Sequence, residues 1–77
     1  MKVELLTPDQ VLFEDEAISV SLPGTDGRFQ LLNLHAAMVS SLAKGEVIIE
    51  GKDNQKHTFK INGGILEVLN NKAIILA

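Results

Sequence analysis

Residues 46 to 61 read as two strands and the turn between them, and this hairpin is the strongest constraint on what the chain can fold into. In its second arm Lys56, Thr58 and Lys60 fall on one side, and His57, Phe59 and Ile61 on the other. A period of two is what a strand with one wet face and one dry face requires. The first arm, Glu46 to Glu50, is joined to it by Gly51-Lys52-Asp53-Asn54-Gln55, a polar loop of hairpin length.

The rest of the chain repeats the pattern of short strands and turns. Val3 to Thr7 is an apolar run ended by Pro8-Asp9. From Ala17 to Leu22 the residues alternate, with Ile18, Val20 and Leu22 pointing one way and Ser19 and Ser21 the other. Pro23 to Gly27 holds a proline, two glycines and an aspartate, and is predicted to turn. Phe29 to Leu34 is a third strand. His35 to Ala43 suits a helix through Ala36, Ala37, Met38 and Leu42, and suits a strand through the alternation of Met38, Ser40 and Leu42 with Val39 and Ser41. Its strand-like flanks decide for strand. Asn62-Gly63-Gly64 turns again, and Ile65 to Leu69 and Ala73 to Leu76 form a last hairpin around Asn70-Asn71-Lys72. Glu14-Asp15-Glu16 reads as solvated acids in a loop. Many short, closely spaced strands indicate an all-β sandwich or barrel, a form that also protects strand edges.

Composition narrows the function. Seventy-seven residues make one small domain, 1–77. A chain this short buries only roughly 60% of its unfolded surface, so it needs a dense core or a partner. Val, Ile and Leu supply that core with Phe13, Phe29 and Phe59. With no Cys, disulfides, thiol nucleophiles and cysteine metal sites are excluded. A net charge of −3 argues against a nucleic-acid partner, which selects for a basic stripe. No apolar run approaches the roughly 20 residues of a membrane-crossing helix, and residues 1–5 do not have the shape of a signal peptide. The reading is a soluble cytoplasmic protein.

No reactive constellation stands out. His35 and His57 lie at no metal-ligand spacing. Gly24-Thr25-Asp26-Gly27 lacks the Gly-Lys-Ser/Thr ending of a phosphate loop, and no nucleophile elbow is present. No catalytic, cofactor or metal residue is assigned, and the residues by themselves indicate a binding or assembly module. A second reading, a lipoyl or biotinyl carrier sandwich, would use Lys52 in its hairpin turn.

Taken in order, the motifs resemble the epsilon subunit of rotary F-type ATP synthases. A first strand and turn lead to Phe13, then a strand runs into Gly24-x-x-Gly27. His35-Ala36 follows, then a glycine turn at Gly45, a hairpin, and Gly63-Gly64-Ile65-Leu66-Glu67-Val68. Gln30 and Asn33 stand where that family often has a glycine and a proline, and Ala37 stands where it often has a proline. The resemblance implies a small flattened β-sandwich of two antiparallel sheets. It further implies a non-catalytic rotor subunit of the central stalk, bound to the gamma subunit and to the c-ring, coupling ion flow to ATP synthesis without a cofactor. Such a subunit is peripheral to the membrane, at the cytoplasmic face of the bacterial inner membrane, and monomeric when isolated. By position, Thr7, His35 and Ser40 match residues facing gamma, and Asp26, Arg28, Phe29 and Gln30 match the loop facing the c-ring. The family's pair of inhibitory helices would begin where this chain ends, at Ala77.

Overall fold

The computed structural model describes residues 1–77 and contains strands and turns only. In chain order they are β1 (Lys2–Leu6), β2 (Val11–Gly24), β3 (Gly27–Leu32), β4 (Met38–Leu42), β5 (Gly45–Gly51), β6 (Lys56–Ile61), β7 (Gly64–Leu69) and β8 (Lys72–Leu76). The predicted strand over the ambiguous His35–Ala43 segment is present as β4, with no helix.

β2 belongs to both layers of the sandwich. Its first half pairs with β1, and β1, β8, β7 and β4 follow in order to complete the first layer. Its second half lies between β3 and β5, and β6 completes the second layer. The switch falls at a bulge. Ala17 faces Gly51 and Ser19 faces Glu50, so Ile18 is the extra residue. A bulge bends its strand and interrupts the alternation. Ile18 therefore stays 39% exposed while Val20 and Leu22 are fully buried, which corrects the expected grouping of the three.

β2 is also longer than its sequence suggests. Glu14-Asp15-Glu16 is strand rather than loop, because β1 supplies a partner: Lys2 lies opposite Glu16, and Glu4 opposite Glu14. That like-charged pair is relieved by Lys72, whose Nζ is 3.4 Å from Glu4. Pro23 and Gly24 are likewise strand, leaving Thr25-Asp26 as the whole turn before Gly27.

One pairing is not antiparallel. β1 and β8 run parallel, from Lys2 beside Lys72 to Leu6 beside Leu76. Parallel neighbours cannot be joined by a tight turn, and here the rest of the domain is their crossover. Met1 extends the arrangement: its amino group donates to the Ala17 carbonyl at 3.0 Å and to the Asn33 side chain.

The core lies between the layers. Val3, Leu5, Leu66 and Ile75 of the first meet Val20, Leu31, Val47 and Ile49 of the second, all fully buried. Phe13 spans the gap, with its ring 6.2 Å from Phe59 and 5.5 Å from His57.

Candidate docking faces

Each layer has an outward face, set by which residues alternate with the core. On β7, Leu66 and Val68 are buried, so Ile65, Glu67 and Leu69 face out. On β8 the outward residues are Lys72, Ile74 and Leu76, and on β4 they are Val39 and Ser41. The register lines them up: Glu67 lies between Val39 and Ile74, and Ile65 between Ser41 and Leu76. Val39 is 72% exposed, Leu69 54%, Leu76 53% and Ile65 48%. Ile74-Ile75-Leu76 is apolar in both phases, the pattern of a strand covered on both sides. Contiguous exposed apolar surface marks an interaction site. Glu67 has no ion-pair partner, while Lys72 is held by Glu4. Shallow hollows flank the Glu67–Leu69 ridge, one lined by Lys72 and Ile74, the other by Ala37 and Val39.

The outward face of the second layer is mostly polar, with Ile48 half-buried in its middle and Leu32 56% exposed on β3. Glu46 lies opposite Lys60, Glu50 opposite Lys56, and Ser21 opposite Gln30. Cross-strand pairs of opposite charge stabilise such a face in water.

The three residues matched to gamma border the apolar face rather than fill it. Thr7 follows β1 and closes its turn, where its hydroxyl accepts from the Gln10 amide at 3.2 Å. Ser40 sits in the inward row of β4, opposite buried Leu66, and is half-buried. β1 and β4 are three strand spacings apart, roughly 14 Å. His35 lies in the β3–β4 loop at the other end, with Nδ1 2.8 Å from the Ala36 carbonyl. Beside it Leu34 is 83% exposed at φ 64°, and its amide donates to Asn71 Oδ1 of the β7–β8 turn. The residues that fill the face, Val39, Ile65, Glu67, Leu69, Ile74 and Leu76, are not among the residues matched to gamma. Their signal was the phase of Ile65-Leu66-Glu67-Val68-Leu69, because the charge at Glu67 sends Ile65 and Leu69 outward with it.

Asp26, Arg28, Phe29 and Gln30 share the β2–β3 hairpin. Asp26 is exposed in the turn, and Gln30 is exposed on β3. Arg28 lies along the sheet, where Nη2 donates to Ser21 Oγ at 2.8 Å. Phe29 is half-buried against the core, and its ring occupies the space a Cβ on Gly24 would need. This hairpin adjoins β4: the Thr25 amide donates to the Ser41 carbonyl at 3.2 Å and the Ala43 amide to the Pro23 carbonyl at 2.7 Å. The two surfaces therefore meet along one edge of the sandwich.

Lys52 is exposed in the β5–β6 loop, with Nζ 3.2 Å from Asp15 Oδ1. The Glu16 amide, which donates to Asp15 Oδ1 at 2.7 Å, and then Lys52 hold the Asp15 carboxyl below the ordinary aspartate value. His57 Nε2 is 3.7 Å from Asp53 Oδ2. No three His, Asp or Glu side chains gather in a way that could hold a metal ion.

The fold class is thus a small two-layer β-sandwich in which the outer surface of β4, β7 and β8 is apolar around Glu67, while β1 and the first half of β2 continue that layer with charged residues. A family model described as ATP synthase, Delta/Epsilon chain, beta-sandwich domain matches residues 1–77, and the chain belongs to that family. It is 40% identical over 75 residues to the ATP synthase epsilon chain of Chlorobium limicola, covering 97% of this chain and 85% of that one. It is also 40% identical over 76 residues to the epsilon chain of Sulfurimonas denitrificans, of which it spans 58%. Two solved structures share the fold at 22% identity. A chain in the Euglena gracilis mitochondrial ATP synthase OSCP/F1/c-ring structure superposes with a TM-score of 0.90, over 97% of this chain and 48% of that one. A chain in the Tetrahymena thermophila mitochondrial ATP synthase central stalk/c-ring structure gives 0.79, over 99% and 61%. The family match lends the carrier reading of Lys52 no support.

Proposed function

We propose that residues 1–77 act as one non-catalytic unit in the rotor of an F-type ATP synthase, joining the gamma subunit to the c-ring so that ion flow drives ATP synthesis. The observation that carries this reading is the apolar outer face of β4, β7 and β8 in a chain of this family. Gamma covers that face, with Thr7 and His35 at opposite ends and Ser40 along the β4 edge. Asp26, Arg28, Phe29 and Gln30 seat the β2–β3 hairpin on the c-ring. The unit is held peripherally at the cytoplasmic face of a bacterial inner membrane through these partners, and it is a monomer when isolated. No helix is long and apolar enough to cross a membrane.

The test mixes the purified chain with the host's gamma subunit and follows the complex by sedimentation. A one-to-one complex is expected, as is loss of ion-coupled ATP synthesis in membranes stripped of the chain. If no complex forms and synthesis survives stripping, the reading is wrong.

A further inference from the structure

We infer that Glu67 is the polar address of the apolar face, and that the partner seated there presents one arginine or lysine to it within an otherwise apolar contact. The inference rests on the gamma-docking reading above and adds the chemistry of the partner's surface.

Glu67 stands near the middle of the face. Its cross-strand neighbours are Ile74 and Val39, and its neighbours along β7 are Ile65 and Leu69. Any partner that covers these residues also removes water from the carboxylate. An ionised carboxylate buried without a counter-charge is strongly unfavourable, so something must neutralise it. Glu67 has no ion pair within this chain, and the nearest lysine on the face, Lys72, is paired with Glu4 at 3.4 Å. The counter-charge has to come from the partner. An arginine suits the place best, because its weakly hydrated planar guanidinium tolerates burial among apolar groups and can bind both carboxylate oxygens.

The same carboxylate argues against a second copy of this chain as the occupant. Two copies face to face would bring two like charges into one apolar interface, an arrangement that suppresses the wrong partner. Glu67 thus keeps the free face in water as a monomer and admits a basic partner.

The test titrates gamma with the intact chain and four variants, checking by thermal melting that each is folded. Glu67→Gln is expected to weaken binding about 10-fold or more, and Glu67→Lys about 100-fold or more. Glu14→Gln, at the charged margin of the same layer, should bind within about twofold of the parent. Val39→Asp should lose binding. One Arg→Glu or Lys→Glu change in gamma should restore binding to Glu67→Lys, and Glu67→Leu should self-associate in sedimentation. If Glu67→Gln and Glu67→Lys bind as the parent does while Val39→Asp does not, the docking face stands and the role of Glu67 is overturned. Failure of every charge reversal in gamma to rescue Glu67→Lys also overturns it. If Val39→Asp binds normally, the docking reading itself falls.

Discussion

The outward residues of β6 are Lys56, Thr58 and Lys60, and those of β7 are Ile65, Glu67 and Leu69. Both strands present three side chains on the same pleat, and both bury the alternate ones. β6 is finished by water, with Glu46 and Glu50 answering its lysines across the sheet. β7 is not, because apolar β4 and β8 residues extend its outward surface instead of neutralising it. Backbone and topology can therefore build two equivalent faces, and the choice of outward side chain decides which one stays free. A domain too small for a large core can leave part of its apolar surface for a second protein to cover.

The comparison is sharpened first in the backbone beneath each face. Gly64 opens β7 at φ +154°, and a Cβ there would lie 2.2 Å from the Leu76 carbonyl oxygen. Gly51 closes β5, and a Cβ there would meet side chains rather than backbone, Asp53 at 2.8 Å and the His57 ring at 3.4 Å. Gly64→Ala is expected to cost about 3 kcal/mol in urea unfolding, because backbone must move. Gly51→Ala should cost under about 1 kcal/mol, because a side chain can swing away. Equal costs would mean the β7 end is more yielding than its contacts indicate.

Next come the faces themselves. Ile65→Asp should lower gamma affinity by about 2 kcal/mol or more, as expected of a central contact. Thr58→Asp on the opposite face should change it by under about 0.5 kcal/mol. Calorimetric titration reads both, and similar losses would abolish the distinction between the faces. Arg28→Glu at the β2–β3 hairpin should weaken seating on the c-ring by about 1–2 kcal/mol, read as impaired coupling, with gamma affinity nearly unchanged. Because the hairpin bonds to Ser41 of β4, a parallel loss of gamma affinity would show that the two surfaces act as one.

The smallest effect concerns pH. The folded state lowers the Asp15 pKa, so the associated stability is present above the unfolded carboxyl value and is lost as pH falls through the folded one. Lys52→Ala should raise the Asp15 pKa only partway, since the Glu16 amide is the larger cause. Carbon-detected NMR titration measures this directly, and a full return to the ordinary value would assign the shift to Lys52.

Much of this was readable from residues. The β5–β6 and β7–β8 hairpins carry their own instructions: a period of two and a turn of Asn, Asp and Gly that sets the register. Asn70 and Asn71 indeed hold φ of 52° and 59°. What was not readable depends on distant chain. Glu14-Asp15-Glu16 becomes strand only because β1 lies beside it, and Ile18 faces out only because β2 bulges where it changes layers. The resemblance matched Thr7, His35 and Ser40 to gamma, and these residues lie at the borders of the apolar face. Its interior went unassigned because Ile65 and Leu66 are equally apolar, and only the charge at Glu67 separates their directions.

The parallel pairing of β1 with β8 has a consequence in time. Residues 2–6 wait for residues 72–76 before the first layer can exist. Contacts so far apart in sequence close slowly, because chain entropy is lost before they reward it. On the ribosome the β5–β6 hairpin can form while synthesis continues, but the apolar outer face of β4, β7 and β8 cannot be assembled until residues 72–76 have emerged. The apolar outer face is thus among the last parts of the sandwich to form.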